Sequence, residues 1–273
     1  MKFAALADIH GNLAALKAVL NDIEKEAVDL LLVLGDIING AADSRACWEL
    51  IQSLDCPVLR GNHERYIFDL NSPHAPELWH SQRFKPVQWT HKQFTKEEHK
   101  QMADLPASLC IEDLSGVRFV HSTMRSDSEN MPPSTPKALA AEMFEGAKES
   151  LIVRGHNHLH FEYNFAAHKV ICVGSTGLPL MGNTLAQYTI FEQQTSGDWE
   201  HTFKSIPYDV EATIQRFYDS GFLEEAWPMS RLLLREVATG THYMVPYIRD
   251  SKKWSKDGAL DLEKGIENFL NCY

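Results

Sequence analysis

Five short blocks of polar residues stand where apolar runs of the sequence end, and their side chains are of types that bind metal ions. In chain order the blocks are Asp8-Ile9-His10, Gly35-Asp36, Gly61-Asn62-His63-Glu64, His121 and Gly155-His156-Asn157-His158. The ligand inventory is two carboxylates, one amide oxygen and four or five imidazoles, a mixed set that suits Mn, Fe or Zn and suits calcium poorly. Because one tetrahedral ion needs fewer ligands, the inventory predicts two ions that share a carboxylate.

Each block lies at the end of a segment that has the pattern of a buried β-strand. These segments are 2–7, 29–35, 56–61, 116–122 and 150–158. Between the first three, residues 12–27 and 44–54 are suited to helices, and apolar residues recur at helical spacing in 12–27. Alternating helices and apolar strands are typical of a layered α/β sheet, whose ligand sites lie at the strand ends. The pattern therefore predicts that the blocks meet at one rim of the fold.

The second half of the sequence predicts another sheet, because strand-like segments follow one another there with little helix between them. These segments are 160–165, 169–175, 185–193 and 198–206. The expected fold class is α/β, as a four-layer αββα sandwich of two mixed β-sheets flanked by helices. We expect one domain over residues 1–208, in which residues 64–108 form a helical insert that walls the pocket. Residues 209–273 are expected to form a helical C-terminal extension.

The composition limits the partners and the compartment. The chain of 273 residues has 26 Lys and Arg against 37 Asp and Glu, a formal net charge of −11. Such a surface repels nucleic acid and anionic membranes, so bound cations would have to attract a substrate phosphate. No apolar run approaches the roughly 20 residues of a membrane span. Five scattered cysteines favour free thiols in a reducing compartment, and we expect a cytoplasmic protein.

The five blocks, in this order, resemble the calcineurin-like metallophosphoesterase superfamily. Its motifs D-x-H, G-D, G-N-H-[DE], a single His and G-H-x-H span residues 8–158. The stretches LADIHGNLAALKAVL, GSTG (174–177) and IPYDVE (206–211) are similar to its compact bacterial branch of phosphodiesterases and diadenosine-tetraphosphatase-like phosphatases. Where Gly-His-Thr-His is commoner in that branch, this chain has Asn157, a position that points away from the metals in the family.

The resemblance implies a role for each block. Asp8, His10 and His158 would hold one divalent ion, and Asn62, His121 and His156 a second. Asp36 would bridge the two ions, manganese being the first choice and Fe, Zn, Ni or Co the alternatives. A hydroxide on the ions would attack the phosphate ester while His63 assists the leaving group. Asn12, Arg60 and Arg125 are further candidates for holding phosphate oxygens, although Arg60 could equally be an ordinary strand-end residue.

Several alternatives stay open at this stage. Any block alone has an ordinary explanation, such as a turn, a helix cap or a core histidine, and only the set of five favours a site. The same fold could serve as a non-catalytic interaction scaffold, although its ligand set is complete here. A nuclease is disfavoured by the acidic charge. The sequence does not distinguish a monoester, diester, dinucleoside polyphosphate or phosphoprotein substrate, and the extension could mediate a homodimer.

Overall fold

Two mixed β-sheets, one of four strands and one of five, form the centre of the protein in a computed structural model that describes residues 1–254 and 261–272. The strands are β1 Lys2–Leu6, β2 Leu30–Val33, β3 Ser108–Leu109, β4 Val117–Val120, β5 Leu151–Arg154, β6 His160–Phe165, β7 His168–Val173, β8 Ala186–Gln193 and β9 Trp199–Ile206. Among the described residues, we find no helix long and apolar enough to cross a membrane.

The helices lie between and after these strands. They are α1 Leu13–Ile23, α2 Ser44–Gln52, α3 Asn62–Asp69, α4 Lys85–His91, α5 Lys96–Asp104, α6 Lys137–Met143, α7 Val210–Asp219, α8 Phe222–Glu225, α9 Ser230–Thr239, α10 Met244–Trp254 and α11 Leu262–Cys272. Short 3₁₀ turns cover 24–26, 77–80 and 82–84.

The first sheet has the strand order β2-β1-β8-β9, and the second has the order β3-β4-β5-β7-β6. In the first sheet β1 pairs in parallel with β2 and antiparallel with β8, so that Phe3 lies between Leu30 and Phe191. In the second sheet β5 is parallel to both of its neighbours, β4 and β7. The parallel strands β1, β2, β4 and β5 end close to the polar blocks, as the sequence predicts.

The two sheets pack face to face through an apolar core. Phe3 of the first sheet stacks on Phe191 with ring centroids 4.6 Å apart, and meets Phe119 of the second sheet edge-on at 5.6 Å. On the outer faces, α1 and α2 cover the first sheet with side chains such as Leu16 and Trp48, while α6 lies against the second. These layers confirm the expected four-layer αββα sandwich.

The predicted strand over 56–61 is wrong. Only Val58 pairs with Val33, as an isolated bridge. Pro57 lacks the amide hydrogen that a continuous ladder needs, although its carbonyl still accepts from the Val33 amide at 3.0 Å. The next segment turns at once into α3, because the Glu64 carboxylate accepts from the amide of Gly61, the N-cap residue, at 2.8 Å.

The helices after β9 pack against the rim that carries the polar blocks. An apolar cluster joins the helices α7, α8 and α9 to the loops of the rim. It contains Phe217, Phe222 and Val237 from the helices, and Ala41 and Leu178 from the loops. Trp89 of α4 also reaches Phe222, with ring centroids 4.6 Å apart. The division into a domain of 1–208, with an insert over 64–108, and an extension of 209–273 stays a prediction, and residues 255–260 and 273 lie outside the described part.

Candidate metal centre

Sharp turns at the strand ends bring the polar blocks together. Asp8, His10, Asp36, His156 and His158 all have left-handed backbone conformations, with φ between 50° and 69°. Such a conformation costs a non-glycine residue about 1–3 kcal/mol and persists only where the surroundings enforce it. The turns direct side chains that would otherwise follow the strand onto one rim. The strained residues are therefore those of the candidate site.

Backbone hydrogen bonds enforce these turns. The amide of Asp8 donates to the carbonyl of Gly35 at 3.1 Å, and the amide of His10 donates to the carbonyl of Asp36 at 2.9 Å. On the other side, the amide of Gly177 donates to the carbonyl of Asp8 at 3.0 Å. A Cβ at Gly177 would collide with the carbonyl of Ile9, which explains why GSTG needs a glycine at this point.

The side chains of the five blocks converge as the sequence predicts. Their ligand atoms form three groups, each within 4.8 Å: Asp8, His10 and His158; His10, Asp36 and His63; and Asp36, His121 and His156. Asn62 joins the last group, because its Oδ1 lies 3.1 Å from His121 Nε2. The structure thus brings together all seven predicted metal ligands and the predicted catalytic histidine.

The protonation of the histidines fits bound cations. The Nδ1 atoms of His10 and His158 each donate to a backbone carbonyl at 2.7 Å, which leaves the lone pair on Nε2 for a metal ion. His10 Nε2 and His158 Nε2 face each other at 3.1 Å. Two such lone pairs repel unless a cation or a proton lies between them.

An unpartnered carboxylate oxygen also fits a cation. Asp8 is fully buried, and its Oδ2 accepts from the amide of His156 at 2.9 Å. Its Oδ1 is buried without a hydrogen-bond partner and lies 3.7 Å from His158 Nε2. A buried acceptor left unpaired is costly, so the residues present suit a metal ion here.

Burial and mutual charge shift the pKa values of these groups. Burial raises the pKa of Asp8 to about 8 and lowers that of His10 to about 3. Burial also opposes charge on Asp36 and His121, but their attraction across 3.2 Å prevails. The pKa of Asp36 falls well below its usual range, and that of His121 rises to about 9. Asp36 is therefore the ionised carboxylate of the cluster.

His63 differs from the other imidazoles in how its ring is held. Its Nδ1 lies 2.6 Å from Asn39 Nδ2, an amide nitrogen that can only donate. Nδ1 is therefore the acceptor, and the ring proton resides on Nε2. Thr90 Oγ1 fixes the Asn39 amide by donating to Oδ1 at 3.4 Å. With 25% of its side chain exposed, His63 can offer this proton to a ligand, whereas His10 presents a lone pair. Sequence reasoning missed Asn39, three residues after Asp36.

Glu64 ties together the turns that carry Asp36 and Asn62. Its two carboxylate oxygens accept from the amides of Asp36, Ile37 and Gly61, each at 2.8 Å. A Cβ at Gly61 would collide with Asp36 Oδ1, so a glycine is needed here for the Asp36 carboxylate to occupy its position. Glu64 therefore acts on the centre through these backbone contacts.

Asn157, the unusual middle residue of the last block, has a structural role. Its Oδ1 accepts from Arg154 Nη1 at 2.6 Å and from the amide of Met131 at 3.3 Å. Arg154 is fully buried and also donates to the carbonyl of Ser122 at 2.7 Å. The pair therefore fixes the loop after His121, which sequence reasoning did not foresee.

The three predicted phosphate contacts are not brought into the cluster. Asn12 caps α1, and both its donors and its acceptor are used inside the fold, by the carbonyl of Gly177, Tyr208, Ala15 and Thr213. Arg60 donates to the carbonyl of Ala103 and lies over the ring of Phe68. Arg125 pairs with Glu129 and Glu142 at the surface. These three residues lie near candidate ligands in the sequence, but that position did not indicate where their side chains point.

Comparison with known proteins agrees with this geometry. The model of the calcineurin-like phosphoesterase family matches residues 1–160, and the chain belongs to this family. The uncharacterized protein MJ0912 of Methanocaldococcus jannaschii is 27% identical over 246 residues, which cover 85% of this chain and 97% of that protein. The family and the cluster of His and Asp make the protein a metal-dependent phosphoric ester hydrolase.

Two solved structures share the fold over most of the chain. The metallophosphoesterase from Sphaerobacter thermophilus has a TM-score of 0.70 and 23% identity, covering 88% of this chain and 99% of its own. The hypothetical protein PH1004 from Pyrococcus horikoshii OT3 has a TM-score of 0.71 and 18% identity, covering 89% and 99%. This likeness extends beyond the part that the family model matches.

Proposed function

We propose that the protein hydrolyses a small-molecule phosphate ester at a centre of two divalent ions. The observation that carries the proposal is the position of Asp36, which lies in two of the three groups of ligand atoms. It is grouped with His10 on one side and with His121 and His156 on the other, as a carboxylate shared by two ions would be.

The proposed assignment takes its two ligand sets from the first and third groups and gives His63 of the second group no metal. Asp8, His10 and His158 would hold one ion, and Asn62, His121 and His156 the other, with Asp36 common to both. Manganese is our first candidate, since these nitrogen and oxygen ligands suit a borderline or moderately hard divalent ion, and Fe, Zn, Ni or Co would accept the same set.

The residues of the chain would share the work with the ions. Bound divalent ions would supply positive charge for the phosphate oxygens and make water a nucleophile at neutral pH. His63 would donate the proton on Nε2 to the leaving oxygen, and Asn39 keeps that proton on the correct nitrogen. The buried turns around Asp8 and Asp36 would keep bulk water from these carboxylates.

The substrate we propose is a phosphodiester or phosphomonoester, with nucleotides included. The alternative is a non-catalytic scaffold on the same fold, and the complete ligand set speaks against it. A net charge of −11 speaks against a nuclease. A cytoplasmic location and a homodimer stay predictions.

Metal content and turnover test the proposal together. The wild-type protein, purified without chelator and supplied with Mn, should contain about two metal equivalents and hydrolyse bis-p-nitrophenyl phosphate or p-nitrophenyl phosphate. Asp36→Asn should abolish hydrolysis and the binding of the pair of ions, because the shared carboxylate is lost. Asp113→Asn, at an exposed position, is the matched control and should behave as the wild type.

Two results would contradict the proposal in different ways. Wild-type turnover and metal content in Asp36→Asn would show that this carboxylate does not bridge the ions. Wild-type protein that holds no metal and hydrolyses neither ester would favour the scaffold. Preference for the diester or the monoester decides between phosphodiesterase and phosphatase.

A further inference from the structure

The side chains next to His63 are aromatic. Tyr66 follows His63 by three residues on α3, so the two side chains share a face of the helix, and their ring centroids are 5.4 Å apart. Trp79 and Phe84 meet the Tyr66 ring edge-on, with centroids 5.1 and 6.1 Å from it. These three rings form an aromatic wall beside the histidine that would serve the leaving oxygen.

Arg65 lies over this aromatic wall. Its guanidinium carbon is 5.0 Å from the centroid of the Tyr66 ring and 5.8 Å from that of Trp79. Its Nε and Nη2 donate to the two carboxylate oxygens of Asp127, at 2.5 and 2.8 Å. Asp127 belongs to the loop after β4, which begins at His121. Because rings and carboxylate both hold it, the guanidinium plane is fixed before any ligand binds.

These side chains are accessible, whereas the candidate metal ligands are not. His63 and Arg65 keep 25% and 27% of their side chains exposed, and Tyr66 is also partly exposed. The side chains of Asp36 and His121 are 1% exposed. The partly exposed residues therefore line the approach to His63, where a leaving group would have to pass.

The chemistry of this approach favours a flat and uncharged group. Aromatic rings and a guanidinium plane both make favourable stacked or edge contacts with a planar ring. Asp127 compensates the charge of Arg65, so this side of the centre does not single out a leaving group that carries a second phosphate. A saturated group would gain from burial here, but it would make none of the ring contacts.

We propose that Tyr66 and Arg65 bind a planar aromatic group carried by the leaving group of the substrate, and that Tyr66 determines this preference. The inference rests on the proposed function, because it takes His63 as the residue that serves the leaving oxygen. It narrows the substrate to esters whose leaving group contains such a ring. An aryl group and the base of a nucleoside share this chemistry, and the test distinguishes them.

Binding of stable phosphonates to the Mn-loaded protein tests the proposal by calorimetry, with two pairs of ligands. Benzylphosphonate and cyclohexylmethylphosphonate represent an aryl ester and its saturated counterpart. The phosphonate analogues of AMP and of ribose 5-phosphate represent a nucleoside ester with and without its base. In at least one pair, the wild type should bind the planar ligand about fivefold more tightly, as expected for one aromatic contact. The pair that responds identifies the leaving group as aryl or nucleoside.

Substitutions at Tyr66 assign the preference to its ring. Tyr66→Leu should remove the preference, and Tyr66→Phe should keep it. Tyr218→Leu, at an exposed position of α7, is the matched control and should show the wild-type preference. The preference is a ratio of two Kd values on the same protein, so a change in the amount of bound metal does not produce it.

Two results would overturn the inference. One is equal Kd values within both pairs in the wild type, a measurement that needs no variant and holds even if Tyr66→Leu does not fold. The other is a preference that Tyr66→Leu retains. Because turnover plays no part in the comparison, failure of the proposed function shows separately, as a protein that takes up no Mn or hydrolyses neither p-nitrophenyl ester.

Discussion

Glu236 should make the stability of the protein fall as the pH rises, and the structure gives the size of the effect. The side chain is 2% exposed, and Oε1 accepts only from two neutral backbone amides. Burial therefore raises its pKa from the ordinary value of 4.5 to about 7. A carboxyl whose pKa is higher in the folded state stabilises the fold fully below the unfolded pKa and loses this contribution as the pH passes the folded pKa.

The substitution Glu236→Gln keeps an oxygen that can accept from Tyr243 and Met244 but removes the ionisation. From about pH 5 to about pH 9, the free energy of unfolding of the wild type should fall relative to the variant by about 2.5 kcal/mol. This figure follows from the two pKa values, 4.5 unfolded and about 7 folded. The other titrating groups are common to both proteins, so they cancel in the difference.

Urea denaturation across this pH range measures the effect, with both proteins studied in the same buffers. Glu211→Gln, at an exposed position of α7, controls for the loss of one negative charge. A difference between wild type and Glu236→Gln that is the same at both ends of the range would refute the reasoning, because an ionisable buried carboxyl cannot give a constant difference.

Three further substitutions examine the centre. His63→Ala should keep the metal content and lower kcat by about 10²–10⁴, and loss of metal would make His63 a ligand instead. Asn39→Gly and Asn39→Ala should lower kcat equally, yet the Gly variant should be more stable by about 1 kcal/mol, because φ at this position is 61°; equal stability on thermal unfolding would deny the backbone strain. Gly61→Ala should displace the Asp36 carboxylate and reduce metal binding, and a fully loaded variant would show that the loop yields to the added methyl group.

The convergence of the candidate ligands could be predicted because their signal is local. Each candidate follows an apolar run within a few residues, and strand order alone brings such ends to one rim. Asn39 carries no such signal, since it acts through a ring nitrogen of His63. Its role depends on tertiary packing that periodicity does not encode.

The side chains that were expected to hold phosphate, and that the structure does not bring into the cluster, have their contacts elsewhere for equally local reasons. Arg60 follows an apolar run, and its neighbour Asn62 does reach the centre, but the Arg60 guanidinium lies over Phe68 instead. Asn12 has a side chain suited to phosphate, yet its position before α1 makes it a helix cap. Residue type indicates which chemistry is available, whereas the direction of a side chain depends on the turn that carries it.

The C-terminal helices connect with the His63 side of the centre. Phe222 of α8 packs on Trp89 of α4, and the next residue, Thr90, donates to Asn39, which holds His63. These contacts give the helices after β9 a role beyond covering apolar surface, because the ring that would donate the proton is oriented through α4. A change in how α8 packs on α4 would therefore reach the leaving-group side of the centre without touching a metal ligand.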